Sequence, residues 1–288
     1  MSADYDSIVV GGGAAGLSAA LVLGRARRRT LVLDAGRQSN LAAPHVGGLL
    51  GHDGTPPQEL YTLARSQVLA YESVEIREAE ATAARPIDGG FAVSLGSDEE
   101  VSARSLVLAG GMNYEVPDVP GFAEHWGDSV FHCPFCHGWD VRDRRVAVFA
   151  EGQFADRFAA LIAGWTDDVV RLDPSTVVGV RTEEGTLRAV QLSDGTEIAC
   201  DAVLVHVPLR QRGSLAADLG LELTDDGFVT VDAEMHTSVP GVYAAGDVAV
   251  APQQVAIAIG SGHTAGLVAT RELLLSNAES DRQKEMDR

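Results

Sequence analysis

Ser7-Ile8-Val9-Val10-Gly11-Gly12-Gly13-Ala14-Ala15-Gly16 is the stretch whose reading decides how the rest of the chain is organised. Its first residues make a short buried strand, the glycines make a turn, Leu17 to Arg28 has helical composition, and Thr30-Leu31-Val32-Leu33-Asp34 is the next strand. Gly11, Gly13 and Gly16 satisfy G-x-G-x-x-G between a strand and a helix. The first glycine makes the turn, the second lets a pyrophosphate approach the backbone, and the third lets helix and strand pack closely. Phosphates then sit at the helix N-terminus, where free N–H groups and the helix dipole favour anions. Asp34 stands about 20 residues beyond Gly11, the offset at which an acid accepts hydrogen bonds from a ribose. A dinucleotide is therefore expected on Gly11, Gly13, Ala14, Ala15, Gly16 and Asp34.

A second informative stretch is His132-Cys133-Pro134-Phe135-Cys136-His137-Gly138-Trp139-Asp140, which holds two of the three cysteines. Two thiols closing a tight turn can cycle between dithiol and disulfide, with one thiol pKa lowered by a helix N-terminus or a neighbouring histidine. Three other readings share the pattern. Cys133-Pro134-Phe135-Cys136-His137 also spells a covalent haem attachment motif, but that attachment normally follows export, and Met1-Ser2-Ala3-Asp4-Tyr5-Asp6 does not read as an export signal. A zinc site needs two further ligands, and there is no second cysteine pair, so no metal site is expected. A merely structural pair is the third reading.

At 288 residues the chain has length for two domains, and its 45% hydrophobic content is ordinary for a soluble protein. A cytoplasmic protein is expected, and in that compartment a cysteine pair is more plausibly catalytic than a staple. The net charge of −19 argues against nucleic acid or an anionic membrane as partner, and no apolar run approaches the length of a membrane span.

Along the chain, His45 and His52 lie in a glycine-rich loop that precedes a helix from about Gln58 to Tyr71. Short alternating segments from Val74 to Leu108 suggest an antiparallel meander ending in the Ala109-Gly110 turn, and Pro117 and Pro120 mark a linker. Arg145 to Trp165 repeats the strand, turn and helix in degraded form: Ala150 replaces the first glycine, Gly152 keeps the second and Ala155 serves as the third. Asp173 follows at the same offset as Asp34 follows Gly11. Residues 174–199 read as short strands with turns at Glu184-Gly185 and Asp194-Gly195, not as a crossover helix, and Cys200 reads as a buried strand-end thiol. Tyr243-Ala244-Ala245-Gly246-Asp247 places a carboxylate at a strand end, Val255 to Leu275 is a long helix of small residues, and Ser276 to Arg288 is a polar tail. The expected fold is α/β, with two Rossmann-like dinucleotide-binding domains, the second truncated and inserted in the first. Residues 1–116 and 237–288 form the first domain and 117–236 the second, which carries the cysteines.

Together, Gly11 to Gly16 with Asp34, the Ala109-Gly110 turn, the inserted CxxC and Tyr243 to Asp247 resemble the low-molecular-weight thioredoxin reductase family over nearly the whole chain. The resemblance implies non-covalent FAD in the first domain and a homodimer. It implies that Gly11, Gly13, Gly16, Asp34, Ala109, Gly110, Gly246 and Asp247 hold FAD, with Gln253, Gln254 and Val255 near the isoalloxazine. It also implies that Cys136 lies against the flavin while Cys133 exchanges with substrate. His137 stands where thioredoxin reductases usually carry Asp, a spelling similar to the dithiol oxidases that close disulfides in natural products such as gliotoxin and holomycin. The second domain, meanwhile, lacks paired arginines for a 2′-phosphate. The expected function is oxidation of a small-molecule dithiol through Cys133 and Cys136, with His137 as base, dioxygen as acceptor and NADPH not the reductant. A protein disulfide reductase fed by NAD(P)H or another donor, and a non-enzymatic flavoprotein that senses redox state or binds a metabolite, are the alternatives.

Overall fold

The computed structural model describes residues 3–96 and 99–286. In chain order the elements begin β1 (Tyr5–Val10), α1 (Ala14–Arg25), β2 (Thr30–Leu33), α2 (Pro57–Leu69), β3 (Val74–Arg77), β4 (Ala81–Ile87), β5 (Gly90–Leu95), β6 (Glu100–Leu108) and β7 (Met112–Tyr114). They continue β8 (Val130–Phe131), α3 (Pro134–His137), β9 (Val146–Phe149), α4 (Gly152–Ile162), β10 (Val169–Leu172), β11 (Val177–Glu183), β12 (Thr186–Leu192) and β13 (Glu197–Ala199). The last are β14 (Ala202–Val205), β15 (Leu209–Gln211), α5 (Leu215–Asp218), β16 (Val242–Ala244) and α6 (Val255–Met286). They fall into two compact units, one of Met1–Ser39, Gln58–Asn113 and Arg210–Arg288, the other of Asn40–Pro57 and Tyr114–Leu209.

The first unit is built on a seven-stranded sheet in the order β3-β2-β1-β6-β5-β4, with β16 also paired to β6. The length of β6 makes this possible. Glu100 to Ala103 pair antiparallel with β5, while Leu106 to Leu108 pair parallel with β16. Ile8, Val9, Leu31 and Val32 are fully buried, as residues of central parallel strands covered on both faces must be. Helices α1 and α6 cross so closely that a Cβ at Gly262 would lie 2.0 Å from the Ala15 carbonyl oxygen, which is why small residues line that contact.

The second unit holds a parallel sheet, β10-β9-β14-β8, with α4 as the crossover between β9 and β10. After β10 the chain forms the antiparallel sheet β11-β12-β13 instead of a second crossover helix, then returns to β14. Glu184 (φ 49°) and Gly185 (φ 77°) close the β11–β12 hairpin in the left-handed region that a two-residue turn demands. The α/β class and the truncation of the second dinucleotide fold are as read from the sequence.

Other expectations need correction. Val74 to Ile76 do not open the meander: β3 is a parallel strand beside β2, with Val32 opposite Ile76. The inserted unit ends near residue 209, not 236. Residues 210–236 stay with the first unit because α5 lies along β4, where Asp218 accepts from the Ala84 N–H at 3.3 Å, and because the Val229 N–H donates to the Val248 carbonyl at 2.8 Å. Residues 40–57 belong to the second unit, where Gly47 lies against the cysteine turn. The expected polar tail continues α6 to Met286, since no Gly or Pro follows Gly266 to stop it, and residues 287–288 lie outside those described.

Candidate functional site

In the first unit the carboxyl ends of β2, β1, β6 and β16 make one edge. The Gly11 N–H donates to Leu33 O (2.8 Å), the Ala109 N–H to Val10 O (2.8 Å) and the Ala245 N–H to Leu108 O (2.9 Å). Gly11, Asp34, Ala109, Gly110, Gly246 and Asp247 therefore share the edge at which open parallel sheets bind ligands. Gly11 has φ +114°, and a Cβ there would stand 2.2 Å from Ala109 O; one at Gly16 would stand 1.8 Å from Gly11 O. At Gly13 the nearest atom to such a Cβ is Gln38 Cγ at 3.8 Å, so this backbone is open to a ligand. Gly13 is also the N-cap of α1, with no capping side chain and no acid in the first turn, which leaves the helix start at Ala14, Ala15 and Gly16 suited to an anion.

Asp34 is buried, and its carboxylate accepts from the Gly36 N–H (2.9 Å), from Gln38 Nε2 (3.0 Å) and from the Arg65 guanidinium. Sequence reading missed Gln38 and Arg65. Gln38 carried a weak signal, four residues past the acid, but Arg65 lies on α2 and nothing in the linear sequence ties it to Asp34. At the far end of the edge, Ser261 on α6 accepts from the Gly246 N–H at 3.0 Å. Gln253 precedes α6 with its amide nitrogen buried and without a hydrogen-bond partner, while Gln254 and Val255 open the helix. An open glycine turn at an uncapped helix start and an unpartnered buried donor near a second helix start fit a flavin dinucleotide.

In the second unit β8 delivers His132 and Cys133 to the start of α3. Cys133 and Cys136 are joined as a disulfide, with Cα atoms 5.3 Å apart, and the Cys136 and His137 N–H groups both bond to Cys133 O at 3.2 Å. Nε2 of His137 meets the carbonyl oxygen of Gly127 at 3.0 Å, while Nδ1 is buried with no hydrogen-bond partner. The ring stacks on Phe131 at 5.1 Å, and burial pushes its pKa below the ordinary histidine value. His132 sits against Tyr114 and Trp126, where burial lowers its pKa to about 4.

The loop of residues 40–57 packs on this turn. A Cβ at Gly47 would lie 2.5 Å from Cys136 O, and His45 Nε2 pairs with Asp140 Oδ2 at 3.1 Å. His45, unremarkable in the sequence, thus ties that loop to the cysteine turn. Phe135, between the two cysteines, and Trp139, just after them, are 61% and 67% exposed, with the Arg142 guanidinium 4.2 Å over the Trp139 ring. Cys200 is buried just past β13, its thiol pKa pushed up to about 11 by burial, and stands apart as inert. Among the described residues no group of three or more His, Cys, Asp or Glu is placed to hold a metal, and no helix is long and apolar enough to cross a membrane.

A family model described as pyridine nucleotide-disulphide oxidoreductase matches residues 5–169 and 165–262. The thioredoxin reductase tcpT of Claviceps purpurea is 32% identical, with 93% of this chain and 94% of that protein aligned. The thioredoxin reductase sirT of Leptosphaeria maculans is 31% identical over 91% and 92%. Among solved structures, HlmI superposes with a TM-score of 0.92 at 33% identity, covering 98% of this chain and 96% of that one.

Proposed function

The chain belongs to the pyridine nucleotide-disulphide oxidoreductase family, whose members bind FAD, and from that premise we propose that it is a dithiol oxidase acting on a small molecule. The observation that carries the reading is a closed Cys133–Cys136 disulfide, followed by His137, in a unit whose nucleotide fold lacks its second crossover helix. Such a unit keeps the thiol chemistry and loses much of what would hold a nicotinamide.

In this reading His137 takes a proton from a substrate thiol, and the thiolate attacks Cys133 Sγ. The Cys133–Cys136 bond breaks, and Cys136 leaves as a thiolate. The second substrate thiol loses its proton and attacks the substrate sulfur of the mixed disulfide, which forms the substrate disulfide and frees Cys133. Two electrons have then passed from substrate to the cysteine pair. FAD, held by Gly11, Gly13, Ala14, Ala15, Gly16, Asp34, Ala109, Gly110, Gly246, Asp247, Gln253, Gln254 and Val255, would supply the onward two-electron acceptor, with dioxygen taking the electrons as hydrogen peroxide.

A cytoplasmic homodimer completes the proposal. Leu267 and Leu274, seven residues apart on α6, are 52% and 46% exposed and offer an apolar stripe for a second copy. That the relatives are thioredoxin reductases favours one other reading, a protein disulfide reductase fed by a nicotinamide nucleotide. Anaerobic titration separates the two. The flavin band should bleach with a small dithiol such as dithiothreitol and stay unchanged with NADH or NADPH; rapid stoichiometric bleaching by NADPH would replace the oxidase with the reductase.

A further inference from the structure

In the second unit β9 and β14 are parallel neighbours, Phe149 opposite Val205, and from β9 the chain first moves to β10 on one side and later to β14 on the other. The carboxyl edge between β9 and β14 is therefore the switch point at which a doubly wound sheet takes a dinucleotide. His206 stands on that edge, its N–H bonded to Phe149 O at 3.1 Å. Phe154, on the first turn of α4, lays its ring on the His206 imidazole with centroids 3.8 Å apart and planes 17° apart, and Phe158 meets the same imidazole edge-on at 6.0 Å. The turn between β9 and α4 adds Glu151 as the helix N-cap, a negative charge at the turn that would have to receive a pyrophosphate. Asp173, the acid at the ribose offset, is already engaged: both the Ser175 N–H (3.0 Å) and its hydroxyl (2.7 Å) donate to it.

We propose that Phe154 and His206 form an aromatic plug that occupies the dinucleotide crevice of the second unit and makes the protein refuse nicotinamide nucleotides. The plug deepens the oxidase reading and rests on it for its purpose, since an oxidase reduced by its substrate gains from excluding a competing reductant. It assigns to two side chains a specificity that the shortened fold alone leaves undefined. A flat ring pair on the switch point fills the space through which the nicotinamide mononucleotide half would pass, and it does so without a charge that salt could screen.

The test is calorimetric titration of the flavin-loaded protein with NADH. Wild type should show no binding up to millimolar nucleotide. Phe154→Ala with His206→Ala should bind NADH at least tenfold more tightly than wild type, and adding Glu151→Gly should tighten it again. Phe154→Leu, which keeps the apolar bulk but removes the ring stack, guards against a double variant that fails to fold and should give a smaller gain. NADH binding by wild type, or folded Phe154 variants that gain nothing, would overturn the plug. Wild type that binds NADH while its flavin is reduced only by dithiol would sink the plug and leave the oxidase. A nucleotide-blind protein that oxidises no dithiol would sink the oxidase and leave the plug.

Discussion

The carbonyl oxygen of Gly127 accepts a hydrogen bond from Nε2 of His137 at 3.0 Å, which fixes the tautomer and leaves the buried Nδ1, on the side of the Cys133 backbone, as the basic nitrogen of the ring. Burial lowers the pKa of this histidine, opposed by the bond to Gly127, the nearby charge of Asp140 and the Cys133 backbone, while His45 reinforces the lowering. A base of lowered pKa stays unprotonated to lower pH. The rate of dithiol oxidation should therefore hold constant through neutrality and fall only below about pH 6.5, the ordinary histidine value. His137→Asn should reduce kcat by roughly 10²–10⁴-fold with the flavin spectrum intact and should abolish that acid limb. An unchanged pH profile in the variant would remove His137 from the chemistry.

Cys133→Ser should abolish turnover and leave FAD bound. Cys136→Ser should also abolish turnover, but its Cys133 thiolate should attack the disulfide form of the substrate, one substrate sulfur leaving as a thiolate, and hold the substrate as a mixed disulfide visible by intact mass spectrometry. Cys200→Ala should oxidise dithiol at the wild-type rate, because a buried thiol with its pKa pushed up to about 11 supplies no thiolate near neutral pH. Full activity in either of the first two variants would take the pair out of the mechanism.

Gln253 makes a prediction of opposite sign for stability and for binding. Its amide nitrogen is buried without a partner, a cost of about 1–3 kcal/mol to the flavin-free protein. Gln253→Leu should leave the flavin-free melting temperature unchanged or higher, while weakening FAD about tenfold by fluorescence titration. A loss of stability with unchanged FAD affinity would show that the amide serves the fold and not the cofactor.

Arg65 should matter through Asp34. Asp34 is 3% exposed and holds the Arg65 guanidinium, so Arg65→Met strips a buried carboxylate of its cationic partner. Arg65 is itself about a third exposed, and solvent discounts the loss to about 1–3 kcal/mol. Calorimetric melting should fall and FAD should dissociate faster on gel filtration. Arg65→Lys should recover part of both; equal behaviour of the two variants would assign the role to packing alone.

His236 lies between Glu272 (Nε2 to Oε1, 2.6 Å) and Asp232 (Nδ1 to Oδ2, 3.0 Å), and Glu272 also accepts from the Tyr243 hydroxyl at 2.6 Å. The bond to Glu272 chiefly raises its pKa, with burial opposing and Asp232 assisting. A histidine whose folded pKa is raised contributes stability that is fully present below about pH 6.5 and is lost as pH rises through the folded value. Urea midpoints should therefore decline across that interval, and His236→Gln should flatten the decline without affecting dithiol oxidation at fixed pH.

The dinucleotide fold of the first unit was legible because its signals are local: a buried strand, glycines at Gly11, Gly13 and Gly16, a helix and Asp34 within one short stretch. Steric demand writes such glycines directly into sequence, as the 1.8 Å that would separate a Cβ at Gly16 from Gly11 O makes plain. The truncation of the second unit was legible for the same reason, since hairpin turns at Glu184-Gly185 and Asp194-Gly195 are local chemistry. The cysteine pair could be singled out from its spacing, and His137 only through the resemblance to dithiol oxidases. What packing decided was the company these residues keep. Arg65 reaches Asp34 from another helix, His45 meets Asp140 across most of a hundred residues, and Phe154 meets His206 only because β9 and β14 pair in parallel. The far limit of the inserted unit and its second segment, residues 40–57, were set by long-range contacts, α5 along β4 and Gly47 against Cys136, while the near limit falls at Tyr114, beside the prolines that mark it in the sequence. Local sterics and hydrogen bonding leave a pattern in neighbouring residues; partners joined through a sheet or a helix crossing leave none, because each side chain is chosen against a surface that exists only once the chain has folded.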